Sequence, residues 1–272
     1  MVKERISLSI SGELLKQLDR DVDGNMIKSR SEAVEGIIAK HISNKKKAVI
    51  LAGGNDKNLL SGSIPRPLLK INGITLIEDT LAKVRKAGFE DIILVGSKEI
   101  LSEIYKTIGE NQITYVEEKT HQGTAKTLQL TKDHIRSTFL FLPCDHYFEL
   151  DLKAMEEYHK KNRGVATLAV YAGTKFEWTK SSIVEVEGNK ITKYIEHPKV
   201  NTSHLTSLMI GFAEPELFEL IPRSDIPYSL QEDVFPELAK QENLIGFIFS
   251  GTWKNIHSEL DCKSITQNNT KG

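Results

Sequence analysis

The chain has 272 residues, of which 39% are hydrophobic and 27% charged, with a formal net charge of −1. That content excludes a disordered polymer and supplies core for one large domain with a small companion. Two cysteines exclude a disulfide framework or thiolate metal site, and the lack of an apolar leader or bilayer-length apolar run points to a cytoplasmic protein without membrane contact.

The overall balance hides an asymmetry. Residues 1–47 carry ten Lys/Arg against seven Asp/Glu, a basic excess that suits a polyanion partner. Ile6, Leu8 and Ile10 alternate with Arg5, Ser7 and Ser9, which is the period of a strand. Ser11 is placed to cap a helix with Leu14, Leu15, Leu18 and Val22 on one face. Asp23-Gly24-Asn25 is turn chemistry. Ser29-Arg30-Ser31-Glu32 has capping-box spacing and opens a second helix carrying Ala33, Val34, Ile37 and Ile38. One short strand and two helices cannot bury their own apolar faces, whereas two copies can pair strands and stack helices.

This order, from Lys3 to Ile42, resembles the ribbon-helix-helix DNA-binding family. The resemblance implies a DNA-binding and dimerisation domain over residues 1–44. The partner would be a palindromic double-stranded DNA operator, bound by a homodimer or homotetramer. Arg5, Ser7 and Ser9 would enter the major groove, and Ser29, Arg30 and Ser31 would hold a phosphate at a helix N-terminus. A bare dimerisation module is the alternative.

After a short polar linker, Ser43 to Lys46, with Lys45-Lys46-Lys47 read as solvated, apolar runs alternate with helical patterns. Ala48 to Leu51 is β-branched and short enough for a buried strand, and runs into Ala52-Gly53-Gly54. Helices are expected over Leu76–Ala87, Lys98–Ile108 and Gly123–His134, with strands at Asp91–Val95, Ile113–Val116 and Thr138–Leu142. Val184 to Ile191 reads as a hairpin turning at Gly188-Asn189, and residues 263–272 as a loose polar tail. The alternation predicts an α/β domain, a mostly parallel sheet flanked by helices, with ligands at the strand ends.

The segments Leu51-Ala52-Gly53-Gly54, Pro65-Arg66-Pro67, Gly123-Thr124-Ala125, Cys144-Asp145, Glu196-His197-Pro198 and Gly251-Thr252-Trp253-Lys254-Asn255 carry a second resemblance. Over residues 47–262 the chain resembles the sugar-phosphate nucleotidyltransferases of the glucose-1-phosphate thymidylyltransferase type, with a Rossmann-like sheet. The resemblance implies that Leu51, Ala52, Gly53, Gly54, Arg66, Glu118, Gly123, Thr124, Asp145 and Glu196 meet a nucleotide, sugar phosphate or nucleotide-sugar. Arg66 and Asp145 would be the catalytic pair of an active enzyme, and Asp145 would hold Mg2+.

Four motifs depart from the family pattern. Glu118 replaces a base-reading Gln, and an ionised carboxylate accepts but does not donate. Asp56-Lys57-Asn58 replaces Gly-Thr-Arg, so a triphosphate-binding Arg is lost, with Lys57, Arg66 and Lys126 as substitutes in charge. His197 replaces a phosphate-binding Lys, and Asn255 the second metal carboxylate. Three altered charge functions lead to the expectation of a retired site. On that reading the protein is a DNA-binding transcriptional regulator whose second domain senses a ligand without turnover. An active nucleotidyltransferase tethered to DNA or controlling its own gene is the alternative.

Overall fold

The computed structural model describes residues 5–43, 45–54, 59–109, 112–173 and 176–269. The chain divides into two compact units, Met1–Lys45 and Lys46–Gly272.

The first unit holds helices α1 (Gly12–Asp21) and α2 (Arg30–Ser43). The Ser11 side chain accepts from Leu14 N and caps α1. Asp23 Oδ1 accepts from the backbone N–H of Asn25, Met26 and Ile27 and closes the turn. Both helices thus form where capping chemistry places them. The strand does not: residues 5–10 carry no ladder, and Ile6, Leu8 and Ile10 are exposed. A lone strand leaves its N–H and C=O groups unpaired, and this unit supplies no second strand. Among the described residues of a single chain, the ribbon of a ribbon-helix-helix domain is not shown.

In the second unit, β1 (Lys47–Ala52) leads into two small hairpins, β2 (Leu60–Ser61) with β3 (Ile64–Pro65), and β4 (Lys70–Ile71) with β5 (Ile74–Thr75). Then come α3 (Leu76–Lys86), β6 (Asp91–Gly96), α4 (Lys98–Ile108), β7 (Ile113–Glu117), α5 (Thr124–Gln129), β8 (Phe139–Pro143), β9 (His146–Phe148) and α6 (Leu152–Asn162). The remainder is β10 (Ala166–Ala172), the hairpin β11 (Ser182–Glu187) and β12 (Lys190–Glu196), β13 (Leu205–Ala213), α7 (Phe235–Lys240), β14 (Leu244–Phe249), β15 (Trp253–Asn255) and α8 (Glu259–Asn269).

The large sheet has the strand order β10-β14-β12-β11-β13-β8-β1-β6-β7. Its β8-β1-β6-β7 part is parallel, while β13 runs antiparallel to β8, β10 and β11. The sheet is mixed rather than mostly parallel. Strand β1 explains why its sequence is a continuous apolar run: Val49 and Leu51 enter one core, and Ala48, Ile50 and Ala52 the other. Helices α5 and α7 cover the first face; α3, α4 and α6 cover the second. A capping box at Thr75 and Glu78 starts α3.

Three expectations are corrected here. The helix expected over Gly123–His134 breaks after Gln129 and resumes as a 3-10 turn at Lys132–His134. Lys46 and Lys47 are not loose linker residues, because Lys46 Nζ reaches Glu156 Oε2 at 2.6 Å and Lys47 pairs with Asp91. The polar tail is a helix through Asn269, held by Cys262 and Ile265 in a small core with Leu69, Ile71, Leu76, Tyr147 and Ile256. Two apolar residues one helical turn apart suffice to dock it, a signal weaker than the surrounding polarity.

Candidate active site

The parallel strands end together. Ala52 pairs with Gly96, and Gly96 with Glu117, so the Gly53-Gly54 turn, Ser97 and Glu118 emerge at one edge. Leu51 and Ala52 are buried and meet that edge through the backbone. A cavity of about 410 Å³ lies there, lined by Gly54, Ser97, Lys98, Glu118 and His121 among others. A Cβ on Gly53 would sit 2.6 Å from Thr127 Cγ2 and against the Glu118 carboxylate. A larger residue there would have to push the Glu118 and Thr127 side chains aside. Gly54 N donates to Glu118 Oε2 at 3.0 Å, and Thr127 Oγ1 donates to Oε1. The carboxylate is thus fixed against the glycine turn; Oε1 also lies 3.4 Å from His121 Nδ1, so Oε2 retains a second lone pair and Oε1 accepts from a ligand where that ligand displaces His121.

Gly123 has φ of +97°, and a Cβ there would lie 2.8 Å from the Tyr228 carbonyl carbon. Tyr228 is strapped to this spot: Ala125 N donates to its oxygen at 3.1 Å, and its own N donates to Gln122 O at 2.7 Å. Thr124 Oγ1 donates to Gln231 Oε1 at 2.7 Å and accepts from Leu230 N at 2.9 Å. Residues Leu230–Val234 form a single π-helical turn, a distortion frequent at functional sites. Lys126 is not a substitute charge. Its Nζ is buried and donates to the carbonyls of Pro222 and Ser224.

Asp145 follows β8. Arg66 Nη1 lies 3.2 Å from its Oδ2, with both side chains mostly buried. Asn255 is brought alongside by β15, which pairs with β9 so that Asn255 faces His146, and by Ile256 N donating to Asp145 O at 2.8 Å. Among the described residues, Asn255 Oδ1 and Arg66 Nε are buried polar atoms without a hydrogen-bond partner. A buried acceptor without a donor is costly. Asp145 offers a carboxylate and Asn255 an unpartnered amide oxygen, both of the oxygen type that a hard divalent cation takes, so in donor chemistry these residues fit Mg2+. Asp56, Lys57 and Asn58 lie outside the described residues.

Glu196 ends β12. Its carboxyl is held above the ordinary glutamate range by burial and binds the Ser182 hydroxyl. His197 Nε2 is 3.5 Å from Glu196 Oε1. The structure therefore places Gly53, Gly54 and Glu118 together, Gly123 with Thr124, and Arg66 with Asp145 and Asn255. Sequence reasoning missed the parts played by Thr127, Tyr228 and Gln231. The Ser229-Leu230-Gln231-Glu232-Asp233 cluster before an apolar helix was the available signal for the last.

In the first unit, Arg30 donates to both carboxylate oxygens of Asp19, at 2.6 and 2.8 Å, and Ser29 Oγ accepts from Glu32 N. Arg5, Ser7, Ser9 and Ser31 are exposed. Among the described residues no helix is long and apolar enough to cross a membrane.

Comparison with known proteins connects these features. The nucleotidyl transferase family profile matches residues 47–260. The mannose-1-phosphate guanyltransferase of Yarrowia lipolytica is 28% identical over 233 residues, covering 81% of this chain and 63% of the relative. Mannose-1-phosphate guanylyltransferase 1 of Arabidopsis thaliana is 28% identical over 229 residues, covering 79% and 62%. The chain thus spans somewhat under two thirds of the length of these curated relatives. Among solved structures, the inositol-1-phosphate CTP transferase from T. maritima superposes with a TM-score of 0.69 at 20% identity, covering 83% of this chain and 95% of that one. A UDP-glucose pyrophosphorylase from Acinetobacter baumanii gives 0.67 at 17% identity, covering 82% and 92%. At these identities the likeness shows the fold.

These findings overturn the expectation of a DNA-binding transcriptional regulator with a retired site. The relatives bear the names of enzymes, and the family match begins at Lys47, after the N-terminal unit. The altered charges also weigh less than their count. Asn255 still carries a buried, unpartnered oxygen, and Arg66 still supplies a cation at Asp145. The chain belongs to the nucleotidyl transferase family.

Proposed function

We propose that this chain transfers a guanylyl group from GTP to a sugar 1-phosphate, with mannose 1-phosphate the first candidate, and releases pyrophosphate. The relatives' names support the reaction class. The observation that carries the base is the Glu118 carboxylate fixed at the cavity beside Gly54. Guanine presents two adjacent N–H donors, N1–H and the 2-amino group, and a carboxylate accepts from both. Adenine and the pyrimidines lack that pair of donors.

In the proposed reaction a phosphate oxygen of the sugar 1-phosphate attacks the α-phosphorus of GTP. The bond from that phosphorus to the bridging oxygen breaks, and pyrophosphate leaves with the electron pair. The step needs positioning and charge neutralisation rather than a protein nucleophile. Gly53 and Gly54 let the backbone approach the phosphates, and Arg66 supplies a fixed cation. Glu196 accepts from a sugar hydroxyl and orients the ring. Asp145 and Asn255 would hold Mg2+, which when bound neutralises phosphate oxygens.

Glu118→Gln tests the base assignment. An amide offers guanine one acceptor and one misplaced donor, so the GTP-to-ATP ratio of kcat/KM is expected to fall about 10- to 100-fold, the worth of one bidentate pair. A ratio that stays within twofold of the wild type would remove Glu118 from base reading.

The N-terminal unit supports a second, separate reading. Ile6, Leu8 and Leu14 are 67%, 56% and 57% exposed. Ile10 and Leu14 line an apolar groove of about 260 Å³ with Leu18, Val34, Ile37 and Ile38. A unit this small cannot bury enough surface alone, and an unpaired alternating segment is completed by a copy of itself. We infer that it pairs with a second copy of this chain. Sedimentation should give a dimer or tetramer, reduced in Leu8→Arg with nucleotidyl transfer retained; an unchanged mass in that variant would place the contact elsewhere.

A further inference from the structure

Residues 221–229 connect the 3-10 turn at Pro215–Leu220 to the π-helical turn at Leu230–Val234 and hold no helix or strand of their own. Their carbonyls are nonetheless occupied, and by one short stretch of chain. Gln129 Nε2 donates to Ile221 O at 3.2 Å, Gln122 Nε2 to Asp225 O at 3.1 Å and Ala125 N to Tyr228 O at 3.1 Å. Lys126 Nζ donates to Pro222 O and to Ser224 O, the latter at 2.7 Å. The strap therefore rests on donors from residues 122–129.

Lys126 is the charged donor of this set and supplies two of its bonds, from a residue only 8% exposed. Its further partner is Gln129 Oε1 at 3.4 Å, so all three partners are neutral oxygens. An ammonium held in this way loses hydration without gaining an ion pair. An apolar side chain of equal length would fill the same space. What the ammonium adds is two strong, charge-assisted bonds from one point to two carbonyls of the strap.

The next residue carries that hold to the base position. Thr127 is buried, and its hydroxyl donates to Glu118 Oε1. The Glu118 main chain is fixed by the sheet edge, its N donating to Gly96 O at 2.7 Å. The aim of its carboxylate is then set by Gly54 N, His121 and Thr127. Of these three, Thr127 belongs to α5. One turn of that helix thus carries the strap on Lys126 and the carboxylate on Thr127.

We propose that Lys126 is a positioning residue for nucleobase recognition. By clamping the 221–229 strap to α5 it holds Thr127, and through Thr127 the Glu118 carboxylate, in the orientation that receives the base. Lys126 itself touches neither nucleotide nor sugar. The proposal rests on the reading of Glu118 as the guanine acceptor. A slack clamp lets the carboxylate wander, and a base that needs both of its oxygens in place loses more than a base that needs neither.

Lys126→Met keeps the length of the side chain and removes its donors. Combined with Glu118→Gln in a double-mutant cycle on the full chain, it tests the coupling, with GTP and ATP as alternative substrates beside mannose 1-phosphate and Mg2+. The GTP-to-ATP ratio of kcat/KM is expected to fall about tenfold in Lys126→Met, through KM for GTP rather than kcat, the effect of a displaced binding group. Added to Glu118→Gln, the same substitution should lower the ratio no further. Gln122→Ala loosens the strap at a partly exposed position and should lower the ratio about threefold, which guards against Lys126→Met failing to fold. A ratio within about twofold of the wild type in folded Lys126→Met, or in Gln122→Ala where Lys126→Met does not fold, would overturn the proposal and leave the clamp a stabilising contact alone. An equal fall in both backgrounds of the cycle would also overturn it, because Lys126 would then act apart from Glu118. Wild-type protein that uses GTP and ATP equally, or uses neither, would instead remove the guanine reading of Glu118, and this proposal with it.

Discussion

Asp145→Asn is expected to lower kcat/KM for nucleotidyl transfer by about 10²- to 10³-fold, the loss that follows removal of one preorganised electrostatic partner of a transition state. The substitution keeps the shape of the side chain and removes its charge. Asp145 is the carboxylate that β8 delivers to the site, and Asn255, on the strand paired with β9, is already neutral. The variant would leave two amide oxygens and an Arg66 without a counter-ion. The fold should survive, because the contact from Ile256 N to the residue 145 carbonyl uses the backbone. Steady-state kinetics beside a thermal melt separates the two effects. Activity within tenfold of the wild type, in a protein that melts normally, would show that the charge of Asp145 does not serve the reaction.

Gly123→Ala is expected to damage both stability and nucleotide binding. At φ of +97° the backbone stands where side-chain-bearing residues rarely go, a conformation that costs about 1–3 kcal/mol. The new methyl group would also meet the Tyr228 carbonyl carbon at 2.8 Å, and that carbonyl is held by Ala125 N. Backbone cannot swing aside as a flexible side chain does. The strap must shift, and Thr124 with it loses its register on Gln231. For a domain this size each kcal/mol lowers Tm by roughly 2–4 °C, so a fall of several degrees should accompany a raised KM for nucleotide. Gly62→Ala is the control: φ is +63° and nothing lies within 4 Å of the added Cβ. Equal losses from the two variants would mean that the strap against Tyr228 contributes nothing.

Much of the fold was legible because its signals are local. Ala48 to Leu51 is apolar at every position, and a strand buried on both faces requires that. Thr75 with Glu78, and Ser97 before Lys98, announce helix starts through their own side chains. What stayed illegible depends on partners distant in sequence. Strand β13 is antiparallel to its neighbours because of how the β11–β12 hairpin returns to the sheet, and no residue within β13 states this. Residues 263–269 read as polar because two apolar side chains, Cys262 and Ile265, decide their docking.

The site divides the same way. Gly53, Gly54, Gly123 and Asp145 were marked out by the resemblance to the family's motifs. Lys126 looked like a spare cation until the carbonyls of Pro222 and Ser224 were seen to hold it. Asn255 looked like a loss of chemistry, since a sequence records the missing carboxylate and not the buried oxygen that takes its place. Counting altered charges therefore pointed away from catalysis, while their placement is compatible with it.

The most direct measurement is phosphorus NMR of the protein with GTP, mannose 1-phosphate and Mg2+. The account predicts pyrophosphate and a guanosine diphosphate sugar appearing in equal amounts, slower or absent with ATP, CTP or UTP. Unchanged substrates with every nucleoside triphosphate and a panel of sugar 1-phosphates, in a protein shown to be folded, would contradict it.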